Sequence, residues 1–136
     1  MCTACVPAEQ DTRCVDCGIT FSECDLRKRT VRELNDALRR NVCRPKGMGT
    51  VVISYGVSCL SSYAQSLLLV KVSEFDAFNK DNDPRNEHDF GSIIFDGETF
   101  FWKIDYYDLS MQSFSSDPAD SSVTNRVLTV MLADEC

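Results

Sequence analysis

The stretch S-I-I-F-D-G-E-T-F-F-W-K-I-D-Y, residues 92–106, decides the fold. Asp96-Gly97 is the dipeptide that a two-residue hairpin turn asks for, because both turn positions need positive φ. The residues on either side are rich in aromatic and β-branched types, which suit a pleated surface. The spacing predicts strands over 92–95 and 99–106, joined as a hairpin. Alternation along the second strand puts Phe100, Trp102 and Ile104 on one face, and Phe101, Lys103 and Asp105 on the other. One face belongs to a core. Tyr106 and Tyr107, at the strand's end, form a candidate binding edge, since tyrosine offers contact area at low entropic cost.

Working outward, residues 49–57 (G-T-V-V-I-S-Y-G-V) read as a short β-branched strand. Residues 61–78 admit a buried strand over 67–72. Yet Tyr63, Leu67, Val70 and Leu68, Val72, Phe75 recur at three and four, and this spacing favours a helix. A polar loop, 79–89, follows and contains Pro84. Upstream, Thr30-Val-Arg-Glu33 has the form of a capping box, and Val31, Leu34, Leu38 and Val42 make an apolar stripe. That pattern predicts a helix over 30–43, with Arg32–Asp36 and Asp36–Arg40 paired on its polar side. Downstream, 111–114 reads as a third strand. Asp117-Pro-Ala-Asp120 reads as the start of a last helix over 121–133, with Val123, Val127, Val130 and Met131 on its apolar face. The expected architecture is α+β: a small antiparallel sheet with helices packed on one face.

The cysteines define a second unit. Cys2-Thr-Ala-Cys5 and Cys14-Val-Asp-Cys17 give C-x-x-C, eight residues, C-x-x-C. Two such turns can present four thiolates to one Zn²⁺ as a tetrahedron. Gly18 and Phe21 suit the turn and a cover over the sulfurs, and Cys24 is a reserve ligand. We expect a structural zinc knuckle over 1–24 and the α+β domain over 25–136. Four protein ligands leave no open position, so this zinc holds structure rather than performing chemistry. Disulfides and a redox pair are the alternatives. A cytosolic setting opposes the first, and no strand-then-helix context supports the second. Cys43 and Cys59 are expected to pack as small apolar groups.

The whole chain, 136 residues with 43% apolar and 26% charged, has an ordinary globular balance. The longest aliphatic run is 67–70, too short to span a membrane. The start, M-C-T-A-C, carries neither the basic residues nor the apolar stretch of a secretion signal, so a cytoplasmic setting is expected. Charge is unevenly spread. The net is −7, made of −4 over 1–26, +6 over 27–46, +1 over 47–72 and −10 over 73–136. An acidic protein is a poor general binder of nucleic acid. The basic residues Arg27, Lys28, Arg29, Arg32, Arg39 and Arg40 remain candidates for a local nucleic-acid contact, but no aromatic residues interleave them.

Four blocks carry a family resemblance: V-R-E-L-N-D-A-L-R-R at 31–40, F-D-A-F-N-K-D-N-D-P-R-N-E-H-D-F-G at 75–91, F-F-W-K-I-D-Y-Y-D at 100–108, and D-P-A-D-S-S-V-T-N-R-V-L-T-V-M-L-A-D-E at 117–135. Over about 30–135 the chain resembles an uncharacterised bacterial family, domain-of-unknown-function family 3768. The resemblance implies no activity. It implies an association with plasmids and other mobile elements. The cysteine knuckle looks like an addition to the family pattern.

The densest polar cluster is Asp81-Asn-Asp-Pro-Arg-Asn-Glu-His-Asp89, joined by Asp105 and Asp108. Read as chemistry, His88 with Glu87, Asp89 or Asp105 suits Mn²⁺, Mg²⁺ or Fe²⁺ in a small metal-dependent hydrolase. A calcium loop fails on Arg85, Asn86 and Ser92, where its ligand, Gly and Glu belong. There is no G-x-S-x-G elbow and no phosphate-binding glycine loop. The plainer reading has Glu87, His88 and Asp89 tying the loop to the hairpin, with Arg85, Lys103 and Arg126 as charge partners.

These observations favour a non-enzymatic, zinc-stabilised, acidic interaction protein. Its partner would be a protein or nucleoprotein complex, met through Asp81, Asp83, Glu87, His88, Asp89, Asp105, Tyr106, Tyr107 and Asp108. With the mobile-element association, one concrete form is an inhibitor of a host defence complex, such as a CRISPR effector or restriction enzyme. The alternatives are the metal-dependent hydrolase centred on His88 and Asp105, and a zinc-knuckle regulator that binds nucleic acid through 27–46.

Overall fold

The computed structural model describes residues 21–136. Cys2, Cys5, Cys14 and Cys17, the expected zinc ligands, lie outside them. The chain runs α1 (Phe21–Arg40), β1 (Thr50–Ile53), α2 (Tyr55–Ser58), α3 (Ser62–Ser73), β2 (Phe90–Phe95), β3 (Glu98–Tyr107) and β4 (Asn125–Leu132). The strands form one sheet in the order β1-β4-β3-β2.

The hairpin forms as its turn chemistry dictates. β2 and β3 pair antiparallel from Phe95↔Glu98 to Phe90↔Lys103. Asp96 and Gly97 take φ of 51° and 77°, the two positive values that a type I′ turn needs. Phe100, Trp102 and Ile104 face inward together, as alternation requires. They join Val130, Leu128 and Ile93 from the neighbouring strands, Leu38, Val57, Leu68 and Val72 from the helices, and Val42 from the turn after α1, in one core. The helices therefore cover the face that carries Trp102. On the other face Phe90 meets Phe101 at 5.2 Å, Lys103 pairs with Asp105 at 3.3 Å, and Val52 and Ile94 are exposed.

Three sequence-based expectations are corrected. Residues 121–133 form no long helix. Asp120 caps only a single turn, Ser121–Val123, and the chain then becomes β4. β4 lies between β1 and β3, and Val127, Leu128, Val130 and Met131 are buried on its two faces. A strand covered on both faces reads as a continuous apolar run, so helical spacings occur in it by accident. Second, the sheet is mixed rather than antiparallel: β1 pairs parallel with β4, Thr50↔Val127 to Ile53↔Val130. A parallel pair needs a long crossover, and everything between β1 and β4 serves as one. Third, α1 starts at Phe21, so Thr30 caps nothing. Its Oγ1 donates to the Leu26 carbonyl at 3.0 Å inside the helix. No glycine or proline interrupts residues 21–40, and Arg39 and Arg40 in the last turn suit the helix dipole.

Smaller differences follow. The expected strand 49–57 is β1 alone, because Ser54 caps α2 and its Oγ accepts from Val57 N. The expected helix 61–78 stops at Ser73. Residues 111–114 supply only a single bridge, Tyr107↔Phe114. Cys43 and Cys59 are exposed rather than packed. Among the described residues no helix is long and apolar enough to cross a membrane.

Candidate functional site

α1 buries an irregular stripe, Val31, Asn35, Leu38 and Arg39, which Val42 in the following turn continues. Two polar residues inside an apolar stripe must find partners, since burying them unpaired is costly. Each belongs to one of two polar centres beside the C-terminal end of the 81–89 loop, where Asn35 bonds the Glu87 carbonyl directly and Arg39 acts through Asp36, which meets His88.

Arg39 anchors the first. Its Nη2 reaches Asp36 Oδ1 at 2.9 Å, and Nη1 donates to the carbonyls of Phe75 (2.7 Å) and Ser73 (3.2 Å). The guanidinium lies 5.4 Å from the Phe78 ring and 5.7 Å from Trp102. Asp36 Oδ1 also meets His88 Nδ1 at 2.9 Å, while His88 Nε2 is 3.6 Å from Asp83. The His88 ring stacks on Phe78 at 3.8 Å. Asp83 is buried, and its Oδ1 accepts from the amides of Glu87 and His88. This clamp holds Asn86 and His88 at φ of 56° each, a left-handed conformation uncommon for a side chain such as histidine.

Asn35 anchors the second. Its Nδ2 donates to the Glu87 carbonyl (2.9 Å) and to Tyr106 Oη (2.8 Å), and its Oδ1 accepts from Arg126 Nε (2.6 Å). Arg126 also donates to the Pro118 carbonyl, and its guanidinium lies 5.2 Å from the Tyr106 ring. Tyr106 Oη donates to Glu87 Oε2 at 2.8 Å. Burial, and after it the Glu87 and Asp89 carboxylates, push the Tyr106 phenol far above its ordinary range, so it remains a donor at all physiological pH. Glu87 is wholly buried, and its Oε1 has no hydrogen-bond partner.

A cleft of about 320 Å³ opens beside Glu87. Arg85 and Asp89 come to it from the loop, Ile104, Asp105 and Tyr106 from the end of β3, and Phe114, Ser115 and Pro118 from the segment before β4. His88 lines a different recess, with Phe78, Lys80 and Asp83. The structure thus brings Glu87, Asp89, Asp105 and Tyr106 together and sets His88 apart, with its ring nitrogens facing Asp36 and Asp83. Asp81 is exposed in the loop, and Tyr107 stacks near Phe114 at 5.9 Å. Asp108 turns inward on its own segment, accepting from Ser110 Oγ and Gln112 N, which hold its carboxyl below its ordinary value. Among the described residues no three His, Cys, Asp or Glu side chains are arranged to hold a metal ion.

The basic residues of α1 do not form one open patch. Arg39 is buried, and Arg27 pairs with Asp117 at 2.8 Å. Arg29 is 3.9 Å from Glu33, Arg40 is 4.0 Å from Asp36, and Arg32 donates to the Asn86 carbonyl. Lys28 is half-buried.

Asp89 is the titrating group of the cleft. Burial, then the negative charges of Glu87 and Asp83, raise its pKa from 3.8 to about 6, against its own backbone amide and Arg85. Lys103, Asp105 and Tyr106 of β3 complete its charged and titratable surroundings. A folded value above the unfolded one means that the folded chain holds this proton more tightly. Asp89 is therefore tolerated below about pH 4, and its cost grows as pH rises through 6. Two units amount to about 3 kcal/mol; solvent at the cleft mouth reduces the effect to about 1 kcal/mol. Asp89→Asn is expected to stabilise the protein by about that much at pH 7.5 and not at all at pH 4, read by urea unfolding at both. An equal gain at the two pH values would contradict this reading.

Sequence reading missed Asn35 and Asp36 as parts of the site. The signal was present: Asn35 sits in phase with Val31, Leu38 and Val42, so a polar side chain occupies a core position.

Compared with known proteins, residues 53–135 match the model of a family described as "Protein of unknown function (DUF3768)". No curated protein and no solved structure matches. The matched segment begins at the end of β1, so it includes the loop, the hairpin and β4, and α1 precedes it.

Proposed function

The chain belongs to the DUF3768 family of proteins of unknown function, and from that premise we propose that it is a non-enzymatic interaction protein that takes a basic partner on its acidic face. The partner is a protein or a nucleoprotein complex whose basic groove the acidic face occupies. The observation that carries this reading is the cleft at the end of β3. It gathers the carboxylates of Glu87, Asp89 and Asp105 in a concave site, within a stretch of chain that carries −10 net charge. Concavity and convergent polar groups are what a binding site requires. The burial of Arg39 and the ion pair of Arg27 with Asp117 take two of the basic residues of α1 out of reach, which supports a protein partner over direct nucleic-acid binding. The separation of His88 from Asp105 supports binding over metal-dependent hydrolysis. We further propose that Cys2, Cys5, Cys14 and Cys17 hold one structural zinc; its support is their spacing.

Charge reversal tests this reading at acids whose side chains the fold does not use. Asp83 and Glu87 are buried and bonded, so reversing them would unfold the loop. Asp81 and Asp89 remain. Fluorescence anisotropy with a labelled octaarginine peptide and a 20-base-pair duplex DNA provides the test. The protein should bind the peptide, with affinity falling steeply as salt rises, and should leave the DNA free. The pair Asp81→Lys and Asp89→Lys should weaken peptide binding by at least about tenfold, the effect of about 1.4 kcal/mol. Tighter binding to the DNA than to the peptide would overturn the reading and return attention to 27–46.

A further inference from the structure

We infer that the cleft beside Glu87 is a guanidinium pocket, which receives one arginine side chain of the basic partner against Asp89 and the Phe114 ring, in the field of the buried Glu87. The inference rests on the binding reading above and specifies its ligand.

Three features point to this chemistry. The first is the unfinished carboxylate at the base of the cleft. Glu87 has no exposed surface, Tyr106 satisfies its Oε2, and its Oε1 has no partner. A buried carboxylate oxygen without a donor leaves its negative charge uncompensated, and a cation in the adjoining cleft offsets that charge. Asp89 stands beside it as a second acceptor, in the negative potential of Glu87 and Asp83.

The second is Phe114. It is 77% exposed, although it lines the cleft and belongs to the segment bridged to Tyr107. A flat, weakly hydrated guanidinium stacks on such a ring while its edge donates to carboxylates. A compact, strongly hydrated ammonium does this less well. The chain uses the same chemistry internally, with Arg126 over Tyr106 and Arg39 beside Phe78 and Trp102.

The third is size and ligand geometry. About 320 Å³ lies at the low end of ligand pockets, roughly 300–1,000 Å³, and exceeds what a bare ion needs. The metal alternative lacks a ligand set among the described residues.

Arg85 gives the inference its sign. It lines the same cleft, is exposed, and opposes an incoming cation. Removing it should strengthen binding of a cation and weaken binding of an anion.

The test uses the full chain and labelled octaarginine and octalysine peptides at matched salt. We expect octaarginine to bind about tenfold more tightly than octalysine. Asp89→Asn should weaken octaarginine about tenfold, Phe114→Ala about threefold, and Arg85→Ala should tighten it about threefold. Asp81→Asn, a change elsewhere in the loop, should have less than twofold effect. Glu87→Gln belongs to the series only if its thermal melt matches the parent; the Asp89 and Phe114 variants decide the question without it. Equal affinity for the two peptides, with Asp81→Asn as harmful as Asp89→Asn, would overturn the pocket and leave general acidic-face binding standing. Weaker binding in Arg85→Ala would overturn it in favour of an anion. Failure of both peptides to bind would overturn the pocket and the proposed function together.

Discussion

Gly91→Ala is expected to destabilise the protein by about 3 kcal/mol, the upper range for forcing atoms into a filled core. Gly91 lies opposite Trp102 in the β2–β3 ladder. A methyl group there would collide with the indole Nε1 and stand 2.7 Å from Cε2 and 2.8 Å from Phe75 Cζ. The indole has nowhere to go. It is wholly buried, with Phe75 edge-on at 5.5 Å, Phe78 at 6.1 Å and the Arg39 guanidinium at 5.7 Å. Either the hairpin opens or the ring leaves the core. Gly97→Ala is the control: it meets no atom within 4 Å and pays only for its φ of +77°, about 1 kcal/mol. Urea unfolding of both variants reads the difference. Equal losses would show that the ring can yield, and that Trp102 does not fix the hairpin against the helices.

The second large effect belongs to Tyr106→Phe, expected to cost about 2–3 kcal/mol. The phenol is the donor to Glu87 Oε2 and accepts from Asn35 Nδ2. Without it, both oxygens of a buried carboxylate lack a partner within the protein, because Oε1 has none at the outset. Asn35 keeps its bond to the Glu87 carbonyl, so the loss concentrates on the carboxylate. A double-mutant cycle isolates the term. Removing both groups, as Glu87→Met with Tyr106→Phe, deletes donor and acceptor together and should cost clearly less than the sum of the single changes. Additive losses would mean that the bond contributes little, and that Glu87 is held by its backbone alone.

The legibility of the chain differed with the kind of signal. The hairpin was readable because Asp96-Gly97 and the alternation of Phe100, Trp102 and Ile104 are local: turn type and face follow from a few adjacent residues. α3 was readable for the same reason. β4 was not, because burial on two faces erases the period that separates strand from helix, and on the core face that burial comes from residues far away in sequence, such as Leu38 and Leu68. The parallel β1–β4 pair likewise depends on distant contacts. At the site, the 81–89 loop, Asp105 and Tyr106 could be singled out by their density of polar groups. What could not be read was their division between two centres. That division is set by α1: Asn35 bonds the Glu87 carbonyl, while Arg39 takes the Ser73 and Phe75 carbonyls and meets the loop only through Asp36 and His88. Of the expected pairs, Asp36–Arg40 is present at 4.0 Å, whereas Arg32 turns to the Asn86 carbonyl. Asp36 also holds the buried Arg39 and His88, contacts that spacing alone does not show.

In the proposed complex a cationic side chain of a basic partner enters the cleft between the loop, β3 and the segment before β4. A two-dimensional amide NMR titration of the isotope-labelled full chain with octaarginine reads this entry residue by residue. The largest shifts should fall on Arg85, Glu87, Asp89, Ile104, Tyr106 and Ser115, saturating together and reduced in Asp89→Asn. Shifts concentrated on residues 27–40 of α1, or spread evenly over every exposed acid, would contradict it.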